Sequence, residues 1–593
     1  MQKVLEYPFD AALILKKKRG IRRELKKEEK EYVRKNIAIL GGSTTSEVKD
    51  ILELFLLNYG IEPVFYESEY GQFWQDAVFE NAVLDAFLPD FIYIHTSNRN
   101  ILNYPVMENT PEEVEEMLLS EYHRFYSMWE RLKEKYGCPI IQNNFEMPFY
   151  RLMGNKEAFD IHGKIYFLTR LNLLFYEYAQ SAGDFYINDI NYLSASYGLE
   201  RWSEPQYWHM YKYCLCIPAI PYLAFNVSNI IKSVYGKNKK ALVLDLDNTL
   251  WGNVIGEDGV EGIEIGHDTP VGQAYSEFQE YIKEQKSLGV VLTINSKNEM
   301  QNALAGLNHP ESTLCPDDFI VIKANWEPKD KNFLAISREL NILPDSMVFL
   351  DDNPAEREIV RRQVPDAAVP ELYSIEEYIR IIDRSGFFEQ TVFSEDDAKR
   401  NAMYRQNRQR DELKQNFQNY DDFLKSLKME AVIREFEPVY FARIAQLTNK
   451  SNQFNLTTKR FTEADIRTFA AQKEYICLYG KLSDKFGDNG VVTVVIGRQE
   501  KEVLHIELWL MSCRVLKRGM EDAMMDELVR KAEERGICRL KGYYYKTAKN
   551  AMVKDFYQCF GFEKLSENVA GDSEWILELI GYQEKNYRIN ISN

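Results

Sequence analysis

Residues 239–252 read KKALVLDLDNTLWG, an apolar strand-like run that ends in two aspartates separated by one leucine, Asp245-Leu246-Asp247. In an extended chain successive side chains alternate, so both carboxylates leave the strand end toward one place while Leu246 packs behind. Three more runs repeat the design: GVVLTINS (289–296), DDFIVIKA (317–324) and DSMVFLDDN (345–353). Each ends in polar or charged residues, which gathers Ser296, Lys323 or Lys329, Asp351 and Asp352 at one sheet edge. The carboxyl edge is where open parallel sheets build their sites.

The residues meeting there suit phosphoryl transfer. Asp245 offers a carboxylate to attack phosphorus and carry the phosphoryl group. Asp247 has the chemistry to protonate the leaving oxygen and then activate water. Asp245, the Asp247 carbonyl, Asp351 and Asp352 are the oxygen ligands that Mg2+ prefers. Ser296 and a lysine, at 329 or 323, supply donors and positive charge to the phosphoryl oxygens. Only about 40 residues lie between Thr249 and the second strand, and about 30 between Ser296 and Lys329. Neither insert reaches domain size, so the site is expected to be uncapped and open.

The wording LDLDNTLWGNVIGEDG, INSKNE, ANWEPKDKN and MVFLDDNPAERE resembles the FkbH-like branch of the haloacid-dehalogenase superfamily. The resemblance implies Asp245 as nucleophile, Asp247 as general acid and base, Ser296 as phosphate ligand and Asp351 with Asp352 as magnesium ligands. It selects Lys329, in Trp326-x-x-Lys329, over Lys323. It further implies removal of phosphate from a glyceryl-like donor and loading of the acyl unit onto an acyl carrier protein. One departure stands out: thioester-forming relatives carry cysteine before S-K-N, where this chain has Asn295, and an amide cannot act as a thiolate relay. Cys315 is a conceivable substitute. Plain hydrolysis of a small phosphorylated compound, and a non-enzymatic interaction role, remain as alternatives.

Working outward, 593 residues exceed one hydrophobic core. Four segments are expected: an N-terminal α/β domain (1–235), the phosphoryl-transfer domain (236–375), a helical connector (376–428) and a C-terminal α/β domain (429–585). The first alternates strands and helices as a parallel sheet does, after a charged stretch, 8–35, that reads as one exposed helix. Its strands begin at NIAILGG (36–42). It faintly resembles an SGNH-hydrolase-like, flavodoxin-type domain, with Ser43 where a nucleophile would sit. The required D-x-x-H is missing, because Asp189 is followed by Tyr192, and His209 lies at the wrong spacing. A helix N-cap suits Ser43 better.

The C-terminal segment resembles the Gcn5-type acetyltransferase fold in QLTNKSNQFNLTTKRFTEADI, ELWLMSCRVLKRGMEDAMMDELVRKA and NAMVKDFYQCFGFEKL. That resemblance implies a phosphopantetheine- or CoA-binding turn at Arg514, Lys517 and Gly519, with Lys517 where a glycine is usual, and further ligand positions at Asn550 and Tyr557. Tyr557 equally fits a core aromatic on an amphipathic helix.

The net charge of −18 gives no general attraction for nucleic acid or anionic membranes. Eight dispersed cysteines form no metal motif and suit a reducing, cytoplasmic compartment.

Overall fold

The structure is a computed structural model that describes residues 2–27 and 32–592. The chain divides into two compact units, one ending at Ser233 and one beginning at Val234. No described helix is long and apolar enough to cross a membrane.

The first unit is built on five parallel strands, β1 (Val33–Gly41), β2 (Ile61–Glu67), β3 (Phe91–His95), β4 (Ile140–Asn143) and β5 (Phe185–Asn188), in the order β2-β1-β3-β4-β5. The expected parallel α/β arrangement is therefore present. The strand order reverses at β1, which opens a crevice beyond the carboxyl ends of β1 and β3. The charged N-terminal stretch departs from expectation. Its helix spans only Ala11–Leu25, Ile14, Ile21 and Leu25 are buried, and a strand has begun by Val33. Residues 28–31 of the expected helix lie outside the described residues. Lys18 is not a solvated charge: its ammonium donates to Glu47 at 2.8 Å and Asp50 at 2.9 Å on the next helix.

The second unit opens with β6 (Ala241–Leu244), β7 (Val291–Ser296), β8 (Val321–Ala324) and β9 (Met347–Leu350), all parallel, in the order β8-β7-β6-β9. The side chains of the apolar run ALVL point alternately to the two faces of the sheet. Leu242 and Leu244 join one buried cluster with Trp251 and Phe278, while Ala241 and Val243 join the opposite one with Phe333 and Phe349. With both faces covered, the sheet offers only its edges for chemistry. Leu244 pairs in register with Ile294 and with Leu350, so the next residues along, Asp245, Asn295 and Asp351, stand side by side on three adjacent strands.

The expected connector is divided between its neighbours. Ile375, Tyr378, Ile381 and Ile382 of helix Ile375–Arg384 pack in the core below Asp245, whereas Phe423, Leu424 and Leu427 pack in the C-terminal core. The C-terminal sheet comprises β10 (Glu430–Glu435), β11 (Phe454–Asn455), β12 (Tyr475–Asp484), β13 (Gly487–Glu500), β14 (Val503–Met511), β15 (Arg539–Tyr544), β16 (Glu563–Glu567), β17 (Ser573–Glu578) and β18 (Asn590–Ile591). It is mostly antiparallel, but β14 and β15 run parallel and pair only from Val503 to Ile506.

Candidate active site

Asp245, Asp351 and Asp352 each present a carboxylate oxygen, and the three oxygens lie within 4.8 Å of one another. Asp351 is wholly buried and Asp245 nearly so. Such a cluster repels itself unless it is compensated. Lys329, the first residue of helix Lys329–Leu340, supplies part of the compensation: its buried ammonium donates to Asp245 Oδ2 at 2.6 Å and to Asp351 Oδ2 at 2.5 Å. Asp245 Oδ1 is buried and has no hydrogen-bond partner. Burial pushes the Asp351 carboxyl well above the usual carboxylate range, with Asp245 beside it adding to the rise and Lys329 opposing it. Burial followed by the Asp245 charge raises Asp352 as well. Closely spaced hard oxygen donors with one orphaned oxygen are the donor set for a small divalent cation, so the residues fit Mg2+.

Asp247 stands apart from this acid cluster. Its Oδ1 accepts from Trp251 Nε1 (2.9 Å) and from the Ile255 backbone N–H (3.1 Å), and its Oδ2 accepts from Asn298 Nδ2 (2.9 Å). Burial raises its carboxyl above the ordinary range. Thr249 is buried, and its Oγ1 accepts the Asp352 N–H at 3.2 Å. Ser296 is buried at the end of β7, the strand beside β6. Lys323 is turned away, paired with Glu339. Cys315 precedes β8 and so lies at the amino edge of a parallel sheet, the wrong end to assist Asp245.

Three contributors escaped the sequence reading. Asn298 belonged to the quoted motif without a role. Arg357 donates to the Asp351 and Asp352 carbonyls, both at 2.7 Å, and so holds the turn that carries the two acids. Asn295 is buried, and its Nδ2 donates to the Lys329 carbonyl at 2.8 Å, tethering the helix start that aims the ammonium.

The other candidates fall elsewhere. Ser43 is buried, but Thr45 occupies the cap position of helix Ser46–Asn58, which corrects the N-cap reading. The Ser43 hydroxyl donates to Cys214 Sγ (3.3 Å), which in turn lies 3.4 Å from His95 Nε2. Burial holds His95 down to about 4 and Cys214 up to about 12, so the pair is neutral. Asp189 caps helix Ile190–Tyr197 through the Tyr192 N–H.

In the C-terminal domain, Lys517 and Gly519 adopt left-handed φ of 63° and 85° before helix Met520–Glu534. Asn550 is wholly buried and spends its amide on the carbonyls of Asn455 and Tyr545. Tyr557 is wholly buried; its hydroxyl accepts the Tyr543 N–H at 3.3 Å, and burial pushes it up. That placement is the core reading of Tyr557, remote from solvent. Where β14 and β15 diverge, the chain fills its own gap: the Leu456 N–H donates to the Trp509 carbonyl at 3.0 Å, and the Leu456 carbonyl accepts the Tyr545 N–H at 2.8 Å.

Comparison with known proteins places this geometry. Residues 36–232 match the model of the FkbH N-terminal domain. The N-terminal part of the protein BF1531 from Bacteroides fragilis, containing a phosphatase domain and complexed with Mg, is 30% identical; the match covers 63% of this chain and 99% of that one, with a TM-score of 0.58. The ribosomal-protein-S18-alanine N-acetyltransferase from Escherichia coli is 14% identical over 26% of this chain and 99% of its own, with a TM-score of 0.21. The putative acetyltransferase yncA from Salmonella typhimurium is 13% identical over 26% of this chain and 94% of its own, also at 0.21. No curated protein matches. The four-stranded sheet with its acid cluster defines a domain of the haloacid-dehalogenase phosphatase type. At 30% identity over nearly all of the solved BF1531 fragment, the chain belongs to the family of that protein.

Proposed function

We propose that the protein is a magnesium-dependent phosphatase acting on a small phosphorylated compound, with Asp245 as nucleophile. The observation that carries this reading is the Asp245–Lys329–Asp351 arrangement, with Asp352 completing a cation-sized set of oxygens and one Asp245 oxygen left without a partner. Bound there, Mg2+ would neutralise charge on the phosphoryl oxygens. An Asp245 carboxylate oxygen attacks phosphorus, the bond to the leaving oxygen breaks, and Asp247 gives that oxygen a proton. Water then attacks the aspartyl-phosphate, Asp247 recovers a proton from it, and Asp245 and inorganic phosphate are released. Ser296 and Lys329 are the residues to hold the phosphoryl oxygens.

The longer reaction, loading of a glyceryl-like acyl unit onto an acyl carrier protein, finds less support. It calls for a nucleophile near Asp245, and Asn295 is instead committed to the Lys329 carbonyl. The acetyltransferase-like domain is proposed to help recognise a phosphopantetheine or CoA group through Arg514, Lys517 and Gly519. Asn550 and Tyr557 are consigned to its interior.

Hydrolysis of p-nitrophenyl phosphate tests the core reading. Activity is expected with Mg2+, lost with a chelator, and reduced about 10³-fold or more in Asp245→Asn, ~4 kcal/mol of transition-state stabilisation. Undiminished turnover by Asp245→Asn would overturn it. Incubation with bisphosphoglycerate and a phosphopantetheinylated carrier protein separates the two outcomes. A mass gain on the carrier indicates loading; free phosphate with no gain indicates hydrolysis alone.

A further inference from the structure

The second unit contains another cavity, of about 100 Å³, lined by residues of the phosphatase domain, the connector and the C-terminal domain. Lys240 and Ser346 line it, and they immediately precede β6 and β9, whereas the acid cluster follows those strands. Five residues of extended chain put Lys240 about 16 Å from Asp245. The two places are distinct.

Five cationic side chains from four segments converge on this cavity, Lys240, Arg400, Arg514 and, from the one helix Phe441–Lys450, Arg443 and Lys450, with Asp396 among them. Asp397 pairs with Arg400 and, at 3.2 Å, with Lys450, while Arg443 Nε lies 2.8 Å from Asp396. With Asp345, whose charge acts on Lys240 without forming an ion pair with it, three carboxylates face five cations, and only Asp396 of the three lines the cavity. The Lys240 ammonium has no ion pair and no hydrogen bond among the described residues. The Arg514 guanidinium has no carboxylate there either, and its Nε donates only to Ser512 Oγ at 3.2 Å. Like charges brought together out of water repel strongly. The strain shows at Lys450, which burial and then the neighbouring Arg400 hold down to about 7. A chain with net charge −18 has no general excess of cations that would place five here by chance.

We propose that this cavity is an anion site that takes a phosphate or diphosphate group. A tetrahedral anion with several acceptor oxygens satisfies ammonium and guanidinium donors arriving from different directions, which one carboxylate cannot do. The volume admits a group of that size. Two sources share this chemistry: inorganic phosphate, and the phosphate end of a pantetheine arm.

Cys513 lines the same cavity and reports on it locally. The full-length protein is alkylated with iodoacetamide at constant ionic strength in chloride, inorganic phosphate, pyrophosphate or 4′-phosphopantetheine, and each thiol is followed by peptide mass spectrometry. The exposed Cys315, Cys538 and Cys559 serve as references. Protection of Cys513 alone is expected, with the half-protecting concentration about tenfold higher in Lys240→Gln, the loss of one charge-assisted contact. Protection by inorganic phosphate identifies the free ion as ligand, and protection by phosphopantetheine alone identifies the arm. Equal alkylation in every anion, or equal protection of wild type and Lys240→Gln, overturns the proposal. If Cys513 resists alkylation, equilibrium dialysis of labelled pyrophosphate decides: Lys240→Gln must bind one fewer ion per chain, or bind it about tenfold more weakly, and identical isotherms refute the site.

Discussion

Asp247 is held by three donors, two from the segment that follows it and one, Asn298, from the loop after β7. A general acid must point at the leaving oxygen in both protonation states, and the Asn298 amide fixes the oxygen that the other two donors leave free. Asn298→Ala is therefore expected to lower kcat by about 10–100-fold, part of the usual contribution of acid–base catalysis, with KM nearly unchanged. Steady-state kinetics on p-nitrophenyl phosphate checks this, and an unaltered kcat would leave Asn298 without an orienting role. Asp245, Asp247, Ser296, Asp351 and Asp352 are legible in the sequence because strand alternation and strand ends dictate where their side chains go, whereas Lys329 is told from Lys323 only by the family resemblance of its Trp-x-Pro-Lys motif. Arg357 and Asn295 act on backbone carbonyls brought near by folding, and no spacing rule announces such partners.

At the scale of elements, the apolar run ALVL reads as a strand, and β6 is that strand, buried on both faces. The charged stretch 8–35 was harder to read, since its composition describes a helix surface without saying what lies opposite. Lys18 meets Glu47 and Asp50, which pair it and draw the helix onto the sheet unit. The C-terminal domain offers a sharper case. A Cβ added at Gly542 in β15 would stand 2.4 Å from the Tyr557 ring, so strand and aromatic are fitted by the lack of a side chain. Gly542→Ala is expected to cost about 1–3 kcal/mol through overpacking. Urea denaturation reads the loss, and wild-type stability would mean that the Tyr557 ring moves aside freely.

At the scale of the second unit, the connector is tied to the C-terminal sheet by a buried ion pair. Arg410 Nε and Nη2 each lie 2.7 Å from an oxygen of Asp484, and both side chains are almost wholly excluded from water. Removing Arg410 takes away two short bonds and leaves Asp484 to the longer contact with Arg518 at 3.3 Å, so Arg410→Ala is expected to lose about 1–3 kcal/mol. Equilibrium denaturation followed by tryptophan fluorescence measures it. A change below about 1 kcal/mol, the range of an exposed pair, would contradict the buried geometry.

The parallel sheets and the gathering of the acids at one strand edge can be read from the chain alone, because those features depend on local periodicity and on where apolar runs stop; the lysine that joins the acids is singled out from Lys323 by family resemblance. Tertiary structure alone decided the rest: that Asn295 tethers the Lys329 helix, that Tyr557 and Asn550 are interior, that the chain plugs the gap between β14 and β15, and that five cations meet behind the phosphatase sheet. Each of these is a contact between residues distant in the chain, settled by which surfaces fold against one another, and a one-dimensional pattern carries no record of that choice.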